Sequence, residues 1–236
     1  MSCALPPLPV EVWHVRLPDQ LRPEDLALLD PEEHARATAI SMPAHRVQYV
    51  AAHAALRRIL GAASGCAPDT LRILREAHGR PVLQGRNAPH FSLSHSGADA
   101  AIALCRHAPL GVDLEQRRAR PRARQLVARL FAEPERARLL PLRSAEFDAA
   151  FARLWVLKEA YIKADGRGLA CPLDSFAIDP FAPRLLCSDM EVPIRPQLSY
   201  KELCNNIDSA LVVWTAYPVE IKHRVLDMRV DMGRAA

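Results

Sequence analysis

Gly111-Val112-Asp113-Leu114-Glu115 stands near the middle of this 236-residue chain and reads as a strand, with Asp113 and Glu115 on one face and Val112 and Leu114 on the other. Two like charges side by side need an explanation. A hard, oxygen-seeking cation such as magnesium supplies one, because it takes a few carboxylates and keeps room for waters and phosphate oxygens. Taken alone, an Asp-x-Glu pair is more often just a solvated strand face.

Toward the C-terminus comes Leu154-Trp155-Val156-Leu157-Lys158-Glu159-Ala160-Tyr161-Ile162-Lys163, closed by Asp165-Gly166-Arg167-Gly168-Leu169. At about 100° per residue, Phe147, Phe151, Leu154, Tyr161 and Ile162 form one apolar stripe of a helix with Lys158 in its middle. Glu159 and Lys163, four residues apart, share the flank of that stripe, so a carboxylate and an ammonium can serve one site. The bland alternative is a helical ion pair worth about 0.3–0.5 kcal/mol, with Lys158 extending its head to water.

Toward the N-terminus, Phe91-Ser92-Leu93-Ser94-His95-Ser96-Gly97 reads as a strand entering a turn, with hydroxyls and an imidazole able to donate to a phosphate. Adjacent Ser and His are no hydrolytic triad, whose members must meet in space with separate roles. Arg46, on an expected second helix, and Arg75 and Arg80, flanking the turn at Gly79, can add anion contacts, although exposed arginines usually serve solubility.

The remaining chain supplies an alternating strand at Val10–Leu17 and a helix start at Asp30-Pro31-Glu32-Glu33. That start combines a capping aspartate, a proline at the first helical position and acids at the positive end of the dipole. A second helix is expected from Ala44 to Leu60, stopping at Gly61; the stretch after Glu115 is expected to be helical, broken near Glu133-Pro134, and to lead into a long helix from Ala145 to Ala164. Further strands are expected at 71–74, 90–94, 100–105, 111–115, 175–178 and 210–217. Helices and strands occur in both halves, which predicts an α+β protein of two lobes, residues 1–110 and 111–236.

Lysine and arginine number 31 against 27 acids, too small a surplus for a general nucleic-acid coat but compatible with a local anion site. The six cysteines (Cys3, Cys66, Cys105, Cys171, Cys187 and Cys204) are scattered and read as reduced, and no apolar run is long enough to cross a bilayer. A cytoplasmic protein is expected.

In order and spacing, Gly79-Arg80-Pro81, Phe91 to Ser96, Gly111 to Glu115, and Trp155 through Lys158-Glu159-Ala160 and Lys163 to Leu169 resemble the Sfp-type 4'-phosphopantetheinyl transferases. The resemblance runs from about Pro31 to Ile178. It implies two α+β lobes related by a pseudo-twofold axis, with coenzyme A and magnesium in the cleft between them. It implies Asp113, Glu115 and Glu159 as metal ligands, and Glu159 and Lys163 as the catalytic pair. Ser94, His95, Lys158 and Lys163 would contact the coenzyme's phosphates, and Arg46, Arg75, Gly79 and Arg80 the nucleotide end. Arg80 departs from the lysine of many members, which alters the geometry of the phosphate contact. Val47 stands where some members place a further polar contact.

The implied reaction is magnesium-dependent transfer of phosphopantetheine from coenzyme A to a serine of an apo acyl or peptidyl carrier protein, releasing adenosine 3',5'-bisphosphate, by a monomer. The same side chains also suit a metal-dependent phosphoester hydrolase, or a non-catalytic module that binds coenzyme A or a carrier protein.

Overall fold

Alternation along the first strand decides how the layers stack. In the computed structural model, which describes residues 6–118, 120–188, 195–203 and 206–230, β1 (Leu8–Arg16) turns Val10 and Val12 to one side and Trp13 and Val15 to the other. After a short α1 (Pro23–Leu26), α2 (Pro31–Ala39) begins at the expected cap: Asp30 accepts from the Glu33 amide while Glu33 reaches back to the Asp30 amide. Then follow α3 (Pro43–Ser64), β2 (Ile73–Arg75), β3 (Pro81–Leu83), β4 (His90–Ser96), β5 (Asp99–Cys105) and β6 (Leu110–Gln116). The second half holds α4 (Ala123–Leu130), α5 (Glu133–Leu139), α6 (Ser144–Asp165), β7 (Phe176–Ile178), β8 (Leu185–Ser188), β9 (Gln197–Leu203), β10 (Ile207–Val213) and β11 (Val219–Asp227).

The larger sheet has the order β11-β1-β5-β4 and the second the order β6-β10-β9, with β2-β3 and β7-β8 as small antiparallel pairs. One face of the larger sheet packs Val15, Ile102 and Phe91 against Ala52, Leu56 and Leu60 of α3. Its other face, with Val10, Val12, Ala101 and Ala103, meets Val112, Leu114, Ile207 and Leu211 of the second sheet. Beyond that sheet, Leu154, Leu157 and Tyr161 of α6 pack on Ala210 and Val212. The layers therefore run helix, sheet, sheet, helix, a mixed α+β architecture in which the two sheets share one apolar interior.

That shared interior spans the expected boundary between residues 110 and 111. The last strand returns to the first sheet and runs parallel to β1, from Leu8 beside Val219 to Arg16 beside Asp227. The second half thus supplies an edge strand to the first, an exchange that local composition does not signal.

The second helix also runs further than expected. Gly61 lies within α3, and a Cβ there would stand 2.7 Å from the Cys66 carbonyl oxygen, so this glycine admits a close approach while Gly65, at φ 68°, ends the helix. Strands β3, β8, β9 and β11 were not expected, and β10 begins at Ile207 rather than Ala210. Cys66, Cys105, Cys171 and Cys187 are free thiols, whereas Cys3 and Cys204 lie outside the described residues. Among the described residues, no helix is long and apolar enough to cross a membrane.

Candidate active site

The site begins where β6 touches α6. A Cβ at Gly111 would lie 2.1 Å from the Ala160 carbonyl oxygen and 2.4 Å from the Ala164 nitrogen, so only glycine lets the strand reach the helix backbone. With Val112 and Leu114 committed to the interior between the sheets, Asp113 and Glu115 are left on the side of α6, where Glu159 and Lys163 lie.

Lys163 Nζ donates to Asp113 Oδ1 at 2.7 Å, and the Ser94 hydroxyl donates to the same oxygen at 2.7 Å. Asp113 is only 4% exposed, and its other oxygen, Oδ2, is buried with no hydrogen-bond partner. Glu115 is held by the Ser96 hydroxyl at 3.0 Å and by Arg120 at 3.1 Å. Burial, followed by the charge of Asp113, lifts the Glu159 carboxyl above its usual range; Lys163 opposes that shift and Glu115 adds to it. The Glu159 carboxyl therefore feels both strand carboxylates. Among the described residues, however, no three acidic, histidine or cysteine side chains stand together at ligand distance, because Asp113 and Glu115 are turned toward Lys163, Arg120 and the two serines.

Next to this junction opens a cavity of about 390 Å³, lined from the first half by Arg36, Arg75, Arg80 and His95 and from the second by Lys163 and Gly166. Its cations are only loosely engaged: Arg75 pairs with Glu32 at 2.8 Å and Arg80 with Glu76 at 2.8 Å, both acids being about half exposed. Such pairs are worth little in water and yield readily to a stronger anion. Below the cavity, fully buried Arg57 takes up Asp30 and Glu33 at 2.6 Å each, which leaves the wall's net charge positive. Gly166, at φ 86°, closes α6 and lies so near Arg80 that a Cβ would stand 2.8 Å from Nη1. The end of α6 and the Gly79 turn thus meet across the cavity.

Residues 109–193, the segment containing β6 and α6, match the family model of the 4'-phosphopantetheinyl transferase superfamily. The 4'-phosphopantetheinyl transferase HetI of Nostoc sp. is 34% identical over 166 residues, covering 68% of this chain and 70% of HetI. This chain belongs to the 4'-phosphopantetheinyl transferase superfamily. The 4'-phosphopantetheinyl transferase Sfp of Bacillus subtilis is 33% identical over 108 residues, which cover 46% of this chain and 47% of Sfp. The psf-1 transferase of Bacillus pumilus is 37% identical over 101 residues, or 43% of this chain and 42% of its own. The protein is accordingly an enzyme of the transferase class.

Of the residues expected in this transferase's site, Arg75, Gly79, Arg80, His95 and Lys163 line the cavity; Asp113 is bonded to Lys163, and the Glu159 carboxyl feels the charges of Asp113, Lys163 and Glu115. Three others do not reach the cavity. Lys158 is fully buried on the core side of α6, donating to both Glu135 oxygens at 2.7 and 2.8 Å and to the Phe176 carbonyl at 2.9 Å. From the middle of an apolar stripe it points away from the cavity, contrary to the expected placement. Ser94 and His95 are successive residues of β4 and so point to opposite sides: His95 to the cavity, Ser94 to Asp113. Arg46 gives its guanidinium to the Ile40 carbonyl at 2.8 and 3.3 Å and is absent from the lining.

The structure adds Arg36, Tyr49, His53 and His78 to the wall. Tyr49 and His53 stack with ring centres 4.1 Å apart, and His53 Nδ1 lies 2.8 Å from Glu33. Two polar aromatic residues four apart on an otherwise alanine-rich helix were the available signal.

Proposed function

We propose that this transferase moves the 4'-phosphopantetheine group of coenzyme A to a serine of an apo acyl or peptidyl carrier protein, with magnesium held by Asp113, Glu115 and Glu159. The observation carrying this reading is that Asp113 is bonded to Lys163, a residue of the cationic cavity wall, while Asp113 and Glu115 together raise the proton affinity of Glu159 beside them. Oxygen donors at the junction suit magnesium, and the partnerless Oδ2 of Asp113 is a buried acceptor with open lone pairs. When bound, the ion would neutralise charge on the pyrophosphate oxygens.

The chain's own groups account for the rest of the reaction. Lys163 and His95 hold the phosphates, and Arg36, Arg75 and Arg80 hold the nucleotide end by charge-assisted hydrogen bonds. The Glu159 carboxylate, with its raised proton affinity, takes the proton of the attacking serine hydroxyl. A bond forms from the serine oxygen to the β-phosphorus as that phosphorus parts from the bridging oxygen. Adenosine 3',5'-bisphosphate leaves with the electron pair, in a transfer that depends on alignment and charge more than on covalent help. Both halves of one chain line the cavity, which supports a monomer as the active unit.

The test is incubation of the chain with coenzyme A, magnesium and an apo carrier protein, followed by mass spectrometry of the carrier. One added phosphopantetheine per carrier, lost in Glu159→Gln, is the expected result. Consumption of coenzyme A without any carrier present would instead indicate a hydrolase.

A further inference from the structure

β4 and β6 lie side by side but belong to different sheets, and hydroxyls rather than a backbone ladder join them. The alternation of β4 turns Ser92, Ser94 and Ser96 toward β6. Ser92 Oγ accepts the Val112 amide at 3.0 Å, and Ser96 Oγ accepts the Gln116 amide at 3.2 Å. The hydroxyl protons go elsewhere: Ser94 donates to Asp113 Oδ1 and Ser96 to Glu115 Oε2. All three serines are buried, so these bonds are shielded from competing water.

We propose that Ser94 and Ser96 are positioning residues that fix the two β6 carboxylates for the divalent ion. The inference rests on the reading of Asp113 and Glu115 as its ligands. With Oδ1 of Asp113 taken by Ser94 and Lys163, Oδ2 is the oxygen left with open lone pairs. A buried carboxylate whose orientation is set this way meets the ion without first losing rotamer freedom, and groups behind metal ligands typically set affinity by about 10–100-fold. Ser94 thereby acquires a role different from the phosphate contact that its sequence position suggested, and Ser96 acquires one where none was expected.

The experiment titrates magnesium by calorimetry into the full chain saturated with coenzyme A, without carrier protein, and separately measures the magnesium dependence of transfer. Ser94→Ala is expected to weaken magnesium binding roughly tenfold. The KM for coenzyme A should shift by less than about twofold, and Ser94→Thr, which keeps the hydroxyl, should restore the affinity. Wild-type magnesium affinity in a folded Ser94→Ala chain overturns the proposal, as does failure of Ser94→Thr to recover what Ser94→Ala loses. Asp113→Asn separates the two readings. If it abolishes magnesium binding while Ser94→Ala leaves binding unchanged, only the positioning role falls. If Asp113→Asn itself binds magnesium normally, the metal-ligand reading falls and the positioning role with it.

Discussion

The ammonium of Lys158 lies 2.7 and 2.8 Å from the two carboxylate oxygens of Glu135, and neither side chain exposes any surface. Glu135 also accepts the amides of Ala132 and Ile178, while Lys158 gives its third bond to the Phe176 carbonyl and stands 4.0 Å from the centre of the Phe176 ring. Every donor and acceptor of the pair is satisfied, which is the condition under which buried charges persist.

Removing one partner therefore strands the other. Lys158→Met or Glu135→Leu alone should cost about 3–5 kcal/mol in urea unfolding, and the double variant markedly less than the sum. If the folded double variant keeps its KM for coenzyme A, the lysine is structural; a large rise would return it to the binding site.

Gly111 sets the distance between β6 and α6. Gly111→Ala puts a methyl group where the Ala160 carbonyl already lies, so the strand must move away. A loss of about 1–3 kcal/mol in stability is expected, together with a fall in kcat larger than any change in KM for coenzyme A. Unfolding curves and steady-state kinetics check both.

The cavity arginines should act on binding rather than turnover. Arg75→Ala and Arg36→Ala are each expected to raise the KM for coenzyme A by roughly tenfold, equivalent to about 1.4 kcal/mol, with kcat nearly unchanged. Arg46→Ala, whose guanidinium is committed to Ile40, should leave both constants near wild type.

His95 links binding to pH. The ring is exposed at the cavity wall, but the protein packed around it and then the positive charges of His53, Lys163 and His45 hold its imidazole below the usual range. Protonation is thus disfavoured in the folded chain, and at acidic pH His95 works against stability. An arriving phosphate opposes the shift, so coenzyme A should bind with uptake of a proton and more tightly as the pH falls through the histidine range. Calorimetry in buffers of different ionisation enthalpy measures that uptake; His95→Asn should abolish it, and its absence from the wild-type chain would refute the contact.

The placement of Asp113 and Glu115 on one strand face, and of Glu159 and Lys163 on one helix flank beside it, was legible in the sequence because it follows from local periodicity: alternate residues of a strand, and positions four apart on a helix. The same periodicity could have removed Lys158 from the phosphate contacts, since it sits within the apolar stripe. Its partner Glu135 is 23 residues away on another helix, and no local pattern announces it. Likewise β11 is largely exposed, and its alternation lasts only from Val219 to Lys222 before the run His223-Arg224 breaks it. Its membership of the first sheet depends on backbone pairing across the whole chain, which composition does not encode. Arg36 and His53 were missed for a similar reason, because only the packing of α2 on α3 brings them to one wall.

The most direct measurement is the anomalous scattering of manganese in crystals grown with coenzyme A. A single peak bounded by the carboxylates of Asp113, Glu115 and Glu159, against the pyrophosphate, is the expected result. A peak coordinated elsewhere, with Glu159 turned away from Asp113, would contradict the shared site on which the proposed transfer depends.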